Sequence, residues 1–339
     1  YINYVKQSPM SMSGLGGPVG ALNFHSGGST TWYGDRGFFA GGNPITNQIG
    51  YRAISSTGNF TDFGDLTINT RAPAGVGGEG RAVFAGGQDG PDSDSDQTNV
   101  IGYLTASSTG NATDFGDLTI PRKLWNQSCS DGSRGVFMGG DSPGPDTTDD
   151  YDRNMDYITI KTTGNATDFG DLGTNYNDGR NQAAGTNDAT RGVIAGGSRP
   201  GHTTTQEMEY ITIASAGNAT QTGALSERRR GLAACSNDSR GVFMGGWKSP
   251  GGGGDKDTMD YITIQSMGSA SDFGNLSGQS VYNNGTSNGI LDRGLCGCVG
   301  TGPSNVVEYI TISSTGNSTD FGDLTYSSDS IGACSQPPA

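Results

Sequence analysis

One segment of this chain recurs six times. Aligned on a tyrosine, it reads YRAISSTGNFTDFGDLT from Tyr51, YLTASSTGNATDFGDLT from Tyr103 and YITIKTTGNATDFGDL from Tyr157, with degenerate copies at Tyr210, Tyr261 and Tyr309. The spacings between these tyrosines are 52, 54, 53, 51 and 48 residues. A second block precedes each tyrosine: RGFFAGG from Arg36, RAVFAGG from Arg81, RGVFMGG from Arg134, RGVIAGG from Arg191, RGVFMGG from Arg240 and the eroded RGLCGCVG from Arg293. A period near fifty residues in which two blocks keep their order restricts the chain to a repeat architecture. Each unit is then one supersecondary element that buries its apolar face against its neighbours.

Each unit divides into four short strands. Strand A is a small-residue run such as GLAACS, B is the VFMGG block, C is the alternating DYITI block and D is the segment around TDFGDLT. The TGNAT segment joins C to D with Gly-Asn turn chemistry, and clusters of Asn, Asp, Ser and Gly join A to B. The 59 glycines and a hydrophobic fraction of 32% agree with short strands and many turns. Disorder does not account for that composition, because the Val, Ile, Phe and Tyr residues return in blocks at regular intervals. A four-stranded meander repeated at this period is a propeller blade, and the fold class is all-β.

The hydrophobic strand ending in Gly-Gly, the tyrosine of the next strand, the aromatic of the fourth and the arginine opening strand B together resemble the kelch motif. The fourth-strand tryptophan usual in that motif is replaced by Phe63, Phe115, Phe169, Phe273 and Phe321, and the aromatic is missing at Thr222. The resemblance covers residues 31–339 and implies a kelch-like β-propeller. In detail, TGNATDFGDLT and SRGVFMGG also resemble repeats of structural or tail-fibre proteins of marine bacteriophages, cyanophages among them. Strand counting predicts how the ring closes: the first B strand, at Gly37, has no A strand before it, whereas the chain ends in the unpartnered A strand SIGACS. Six four-stranded blades, closed by the C-terminal strand, are therefore expected. A seven-bladed alternative arises because Tyr1-Ile2-Asn3-Tyr4 imitates strand C, but its seventh blade would lack a B strand. Residues 1–30, rich in Gly, Ser and Met, fall outside the count and read as an extension or a tether to a larger assembly.

Charge and composition remove several function classes. A net charge of −14 does not suit nucleic acid, whose phosphates need clustered Lys and Arg. No run of 18 apolar residues is present, so no membrane insertion is expected. Cys129, Cys235 and Cys334 share one repeat position where small residues stand elsewhere, which points to burial, and the Cys296-Gly-Cys298 spacing fits neither a zinc knuckle nor a redox pair. The two histidines, His25 and His202, lie in the leader and a loop; a kelch-like copper oxidase would need two His ligands within the propeller. SNDSRGVF at Ser236 is similar to the Asp-box turn of sialidases but one residue out of register, and Asp238 with its counterparts is expected to cap turns. The repeated Asp62, Asp114, Asp168, Asp272 and Asp320 recur too regularly for one catalytic pair, and turn capping is the default expectation for them as well. Acidic runs from Pro91 and Asp146 could hold calcium, although neither has EF-hand spacing, and solvated loops are the simpler expectation. The sequons at Asn59, Asn111, Asn165, Asn218 and Asn317 are explained by the C–D turn itself. No cofactor and no catalysis are expected.

Variation marks the face that makes contacts. In a meander the A–B and C–D turns share one face of the ring, and the B–C and D–A links share the other. The C–D turns are near copies, but the B–C loops diverge from NPITNQI to WKSPGGGGDKDT, and the D–A links include IPRKLWNQ and SERRRG. Loops released from the repeat constraint are free to diversify for contact. Trp125 and Trp247 lie there, with Arg122, Lys123, Arg228, Arg229, Arg230 and Lys248 beside them, a composition suited to carbohydrate or protein contacts. The expected function is a non-catalytic structural or binding propeller of a virion, its partners a host-surface glycan or other virion proteins. The alternatives are a propeller enzyme acting on extracellular polysaccharide and a cellular kelch-type interaction module.

Overall fold

In each repeat the apolar blocks pair as an antiparallel sheet. The computed structural model describes residues 31–337 apart from 92–95, 144–150, 174–178, 250–252 and 267. Blade 2 shows the pattern: strands A (Ala74–Gly78), B (Arg81–Ala85), C (Val100–Thr105) and D (Thr113–Asp117) are hydrogen-bonded in that order. Strand A is wholly buried at the ring axis, and B is buried after its first residue. D, at the rim, buries one residue in five. The A strands of blades 3 to 6 are Ser128–Ser130, Ala184–Asn187, Ala233–Ser236 and Asn284–Ser287.

Blade 1 takes its A strand from the far end of the chain. Gly332–Gln336 pairs with the B strand Arg36–Ala40, setting Phe38 opposite Cys334 and Phe39 opposite Ala333. C (Thr46–Ala53) and D (Thr61–Thr70) complete the sheet. The ring therefore has six four-stranded blades latched by the C-terminal strand, as strand counting requires. Residues 1–30, with the Tyr1–Tyr4 stretch, the tether reading and His25, lie outside the described residues, as do most of the two acidic runs.

Three repeated contacts join the blades. Each arginine that opens strand B lies over the tyrosine of its own C strand, at 4.1 Å from the ring centroid for Arg240 and Tyr261 and 5.0 Å for Arg36 and Tyr51. The same guanidinium donates to the carbonyl three residues beyond the tyrosine of the next blade: Arg81 to Ile160, Arg134 to Ile213, Arg191 to Ile264 and Arg240 to Ile312, at 2.9–3.1 Å. Arg36 reaches Ala106 likewise, and Arg293 of blade 6 reaches Ile54 of blade 1, closing the circuit. The D-strand phenylalanine meets the tyrosine edge-on, as with Tyr103 and Phe115 at 5.9 Å and 83°.

The second contact explains the conserved turn. Asn59, Asn111, Asn165, Asn218 and Asn317 each accept, through the side-chain carbonyl, the backbone N–H of a D-strand residue in the preceding blade at 3.0–3.1 Å. These asparagines thus clasp neighbouring blades rather than only shaping their own turn. In the third contact, the glycine after each D-strand aromatic meets the next blade's turn glycine. A Cβ on Gly116, at φ 146°, would stand 2.4 Å from the Gly164 oxygen. Between these contacts the apolar core is shared: Val83, Ile101 and Phe115 of blade 2 pack with Phe137, Ile158 and Ile160 of blade 3.

The A–B turns of blades 3, 4 and 5 are capped by Asp131, Asp188 and Asn237, whose side-chain oxygens accept two backbone N–H groups each, so Asn237 rather than Asp238 caps the blade 5 turn. Asp62 and its counterparts are exposed on the rim rather than turn caps. All five cysteines are buried and free, and burial pushes the thiols well up.

Deleting residues 330–339 should strip the inner strand from blade 1, expose the edge of Arg36–Ala40, and abolish the cooperative melt in calorimetry. An Arg134→Met protein should unfold at lower denaturant, by about 1 to 3 kcal/mol, having lost one cation–π contact and one charged hydrogen bond.

Candidate functional site

The GG doublets that end strand B turn the chain toward the axis. The residue after each doublet bridges to the D–A link that arrives beside it: Asn43 with Asp329, Gln88 with Arg71, Asp141 with Lys123, Ser198 with Asn181 and Trp247 with Arg230. This places the B–C and D–A segments together on one face, around the mouth of the central channel. One backbone geometry thereby displays different side-chain pairs: an ion pair of 2.6 Å in Lys123–Asp141, a side-chain hydrogen-bond pair in Arg71–Gln88 and a cation–π contact of 4.5 Å in Arg230–Trp247.

Inside these bridges lies a ring of six left-handed residues. Ala72, Trp125, Gln182, Gly231, Tyr282 and Ser330 have φ between 48° and 66°. Their backbones bond round the axis: Trp125 N–H to Ala72, Ala72 to Ser330, Ser330 to Tyr282, Tyr282 to Gly231 and Gly231 to Gln182, at 2.6–2.9 Å. The remaining gap, between blades 3 and 4, is spanned one step further in, where Gly185 N–H donates to Asn126. Below the ring the channel is narrow, about 60 Å³, because serine hydroxyls tie neighbouring A strands together: Ser335 to Ser287, Ser287 to Ser236, Ser236 to Asn187 and Ser130 to Gly77, at 2.6–2.8 Å.

Above the ring is a bowl of about 320 Å³, off-centre toward blades 6, 1, 2 and 3. Trp125, Tyr282, Gln182 and Gln88 line it, together with Arg71, Lys123, Asp141 and Asp329. The Lys123 ammonium sits 5.7 Å from the Trp125 ring centroid. Burial raises the Asp329 carboxyl above the ordinary range, while hydrogen bonds from Ser330 and Asn43 and the charge of Arg71 oppose that rise.

Of the eight residues singled out in the sequence, only Trp125 and Lys123 line the bowl. Trp247, Arg230 and Lys248 form a second cluster outside it, with Lys248 paired to Glu227 at 2.9 Å, and Arg228 is exposed nearby. Arg122 and Arg229 are wholly buried and not surface residues at all. Arg122 pairs with Asp156 at 2.8 Å and donates to the Asn154 carbonyl; Arg229 pairs with Asp260 at 2.5 Å and donates to the Gly245 and Thr258 carbonyls. Arg180, which the sequence reading passed over, makes the same buried pair with Glu209. A signal for this was present: an acid precedes the tyrosine of blades 3, 4 and 5 (Asp156, Glu209, Asp260), whereas Gly50 and Gly102 stand there where the preceding link supplies Ser328 or Thr70 instead of arginine. Glu308 of blade 6 breaks the rule and is held by Ser277 and Ser318. His202, also in a variable loop, bonds Tyr151.

No family model matches the chain, and no curated protein matches it. Among solved structures it is similar to that of YjhT, with a TM-score of 0.63 over 86% of this chain and 95% of that one. The chain is a six-bladed β-propeller. At 12% sequence identity the likeness is one of fold alone.

Two mutations at neighbouring sequence positions should behave oppositely. Arg122→Ala leaves Asp156 charged and buried, and should cost about 3 to 5 kcal/mol in chemical denaturation. Trp125→Ala should leave stability nearly unchanged, because Ala72 and Gly231 occupy the same backbone position in other blades.

Proposed function

We propose that this protein is a non-catalytic binding propeller of a virion, as part of a fibre or capsid, and that its B–C/D–A face contacts a host-surface glycan. The observation that carries the binding role is Trp125. A bulky aromatic is held in a left-handed conformation, φ 48°, at a position that Gly231 fills without the Cβ penalty. Its ring lines a bowl of about 320 Å³ on the variable face, next to a paired Lys and Asp. An aromatic plane with convergent polar groups is the chemistry by which proteins hold sugar rings.

The non-catalytic reading is supported by how the bowl's carboxylates are engaged. Asp141 is committed to Lys123, and Asp329 is bonded by Asn43 and Ser330. Neither stands as a general acid or base opposite an open partner. The virion placement is supported by the resemblance of the repeats to phage structural proteins.

Glycan-array binding followed by titration tests the reading. Trp125→Ala should weaken binding by about 1 to 4 kcal/mol. Asn165→Ala, on the opposite face, should lower the melting temperature by loosening a blade clasp but keep the affinity of the folded protein. Loss of binding with Asn165→Ala alone would place the contact on the other face. Mass spectrometry of gradient-purified particles checks the location, and absence from the particle would remove the virion assignment.

A further inference from the structure

We propose that the bowl takes the terminal residue of an uncharged glycan, one neutral pyranose entering end-on from the B–C/D–A face. This rests on the glycan reading above and narrows it to a ligand class.

The bowl's four ionic side chains are Arg71, Lys123, Asp141 and Asp329, and they sum to zero. They are also matched locally. Lys123 is 2.6 Å from Asp141, and Arg71 is bonded to Gln88, with its charge opposing the rise that burial imposes on the Asp329 carboxyl. A ligand carboxylate or sulfate would have to compete with Asp141 for Lys123, and a cation would have to compete with Lys123 for Asp141. A hydroxyl displaces neither, because it donates to a carboxylate and accepts from an ammonium at once. The remaining polar lining, Asn43, Gln88, Gln182 and Ser330, consists of amides and a hydroxyl, which likewise offer both donors and acceptors.

A volume of about 320 Å³ lies at the small end of ligand sites and suits a single ring. The floor is the hydrogen-bonded ring of left-handed residues, and the channel beneath holds only about 60 Å³. A polysaccharide cannot thread through the propeller, so the bowl meets a chain end. Trp125 and Tyr282 supply aromatic surface on two parts of the wall.

The test uses the full chain on an array of glycans grouped by terminal residue, with neutral hexoses and N-acetylhexosamines against uronic, sialic and sulfated termini. Wild type should bind neutral termini, with affinity nearly independent of NaCl between about 0.05 and 0.5 M, since no net charge is neutralised. Trp125→Ala should lose at least about fivefold. Asp141→Asn leaves Lys123 without its carboxylate, and should gain acidic termini with a salt-dependent affinity. Wild-type preference for acidic termini, abolished by Trp125→Ala, would overturn the neutral-sugar inference while leaving the glycan reading in place. Neutral glycans bound equally well when their terminal residue is capped would overturn end-on entry. An array with no binding at all would overturn both this inference and the glycan reading. Melting curves of each variant show that the comparison is between folded proteins.

Discussion

The arginine at the start of strand B holds the ring together. Its guanidinium lies on the tyrosine of its own blade and donates to a carbonyl of the next, so one side chain fixes both the sheet and its neighbour. Guanidinium suits this task because it is planar, permanently charged and rich in donors, able to stack and to hydrogen-bond together. Six copies make a circuit, and the sixth, Arg293 to Ile54, joins the last blade to the first. The Gly-Gly approach and the asparagine clasp reinforce the same interface on the same face. That is why the C–D turns are nearly invariant: they are an inter-blade joint, and their sequence is set by what they touch.

Concentrating the joints on one face releases the other. On the B–C/D–A side, blades are linked chiefly through backbone: single β-bridges after each Gly-Gly and the ring of left-handed residues at the channel mouth. Backbone hydrogen bonds do not specify side chains. The six ring positions consequently carry Ala, Trp, Gln, Gly, Tyr and Ser on one geometry. The bridge positions carry an ion pair, a guanidinium–amide hydrogen bond and a cation–π pair. A scaffold whose closure does not depend on these residues can vary them to suit a ligand. The buried pairs of Arg122, Arg180 and Arg229 lie just beneath and belong to the scaffold.

The rim follows from the same division. D strands are the outer edges of the blades, with backbone groups that could pair with another chain. Each of five D strands opens with exposed Thr and Asp or Ser and Asp, so the edge is charged. The net charge of −14 thus serves solubility and edge protection, while the bowl is internally balanced.

Much of this protein was legible in its sequence, for a physical reason. A repeat must bury its face on a copy of itself, so residue type and period together dictate blade, strand order and blade number. The unmatched strands at Gly37 and Gly332 dictate the latch. The identity of the face that varies was legible too, because turn repetition marks the constrained side. What tertiary structure alone decided is direction and partnership. Arg122 and Lys123 are adjacent, yet Arg122 turns inward to Asp156, 34 residues away in the next blade, and Lys123 lies at the bowl beside Asp141. Trp125 and Trp247 look equivalent in composition, but only Trp125 falls on the left-handed ring and lines the bowl. Local sequence determines how a strand pairs. Where a link residue points depends on contacts that exist only after six blades have closed around one axis.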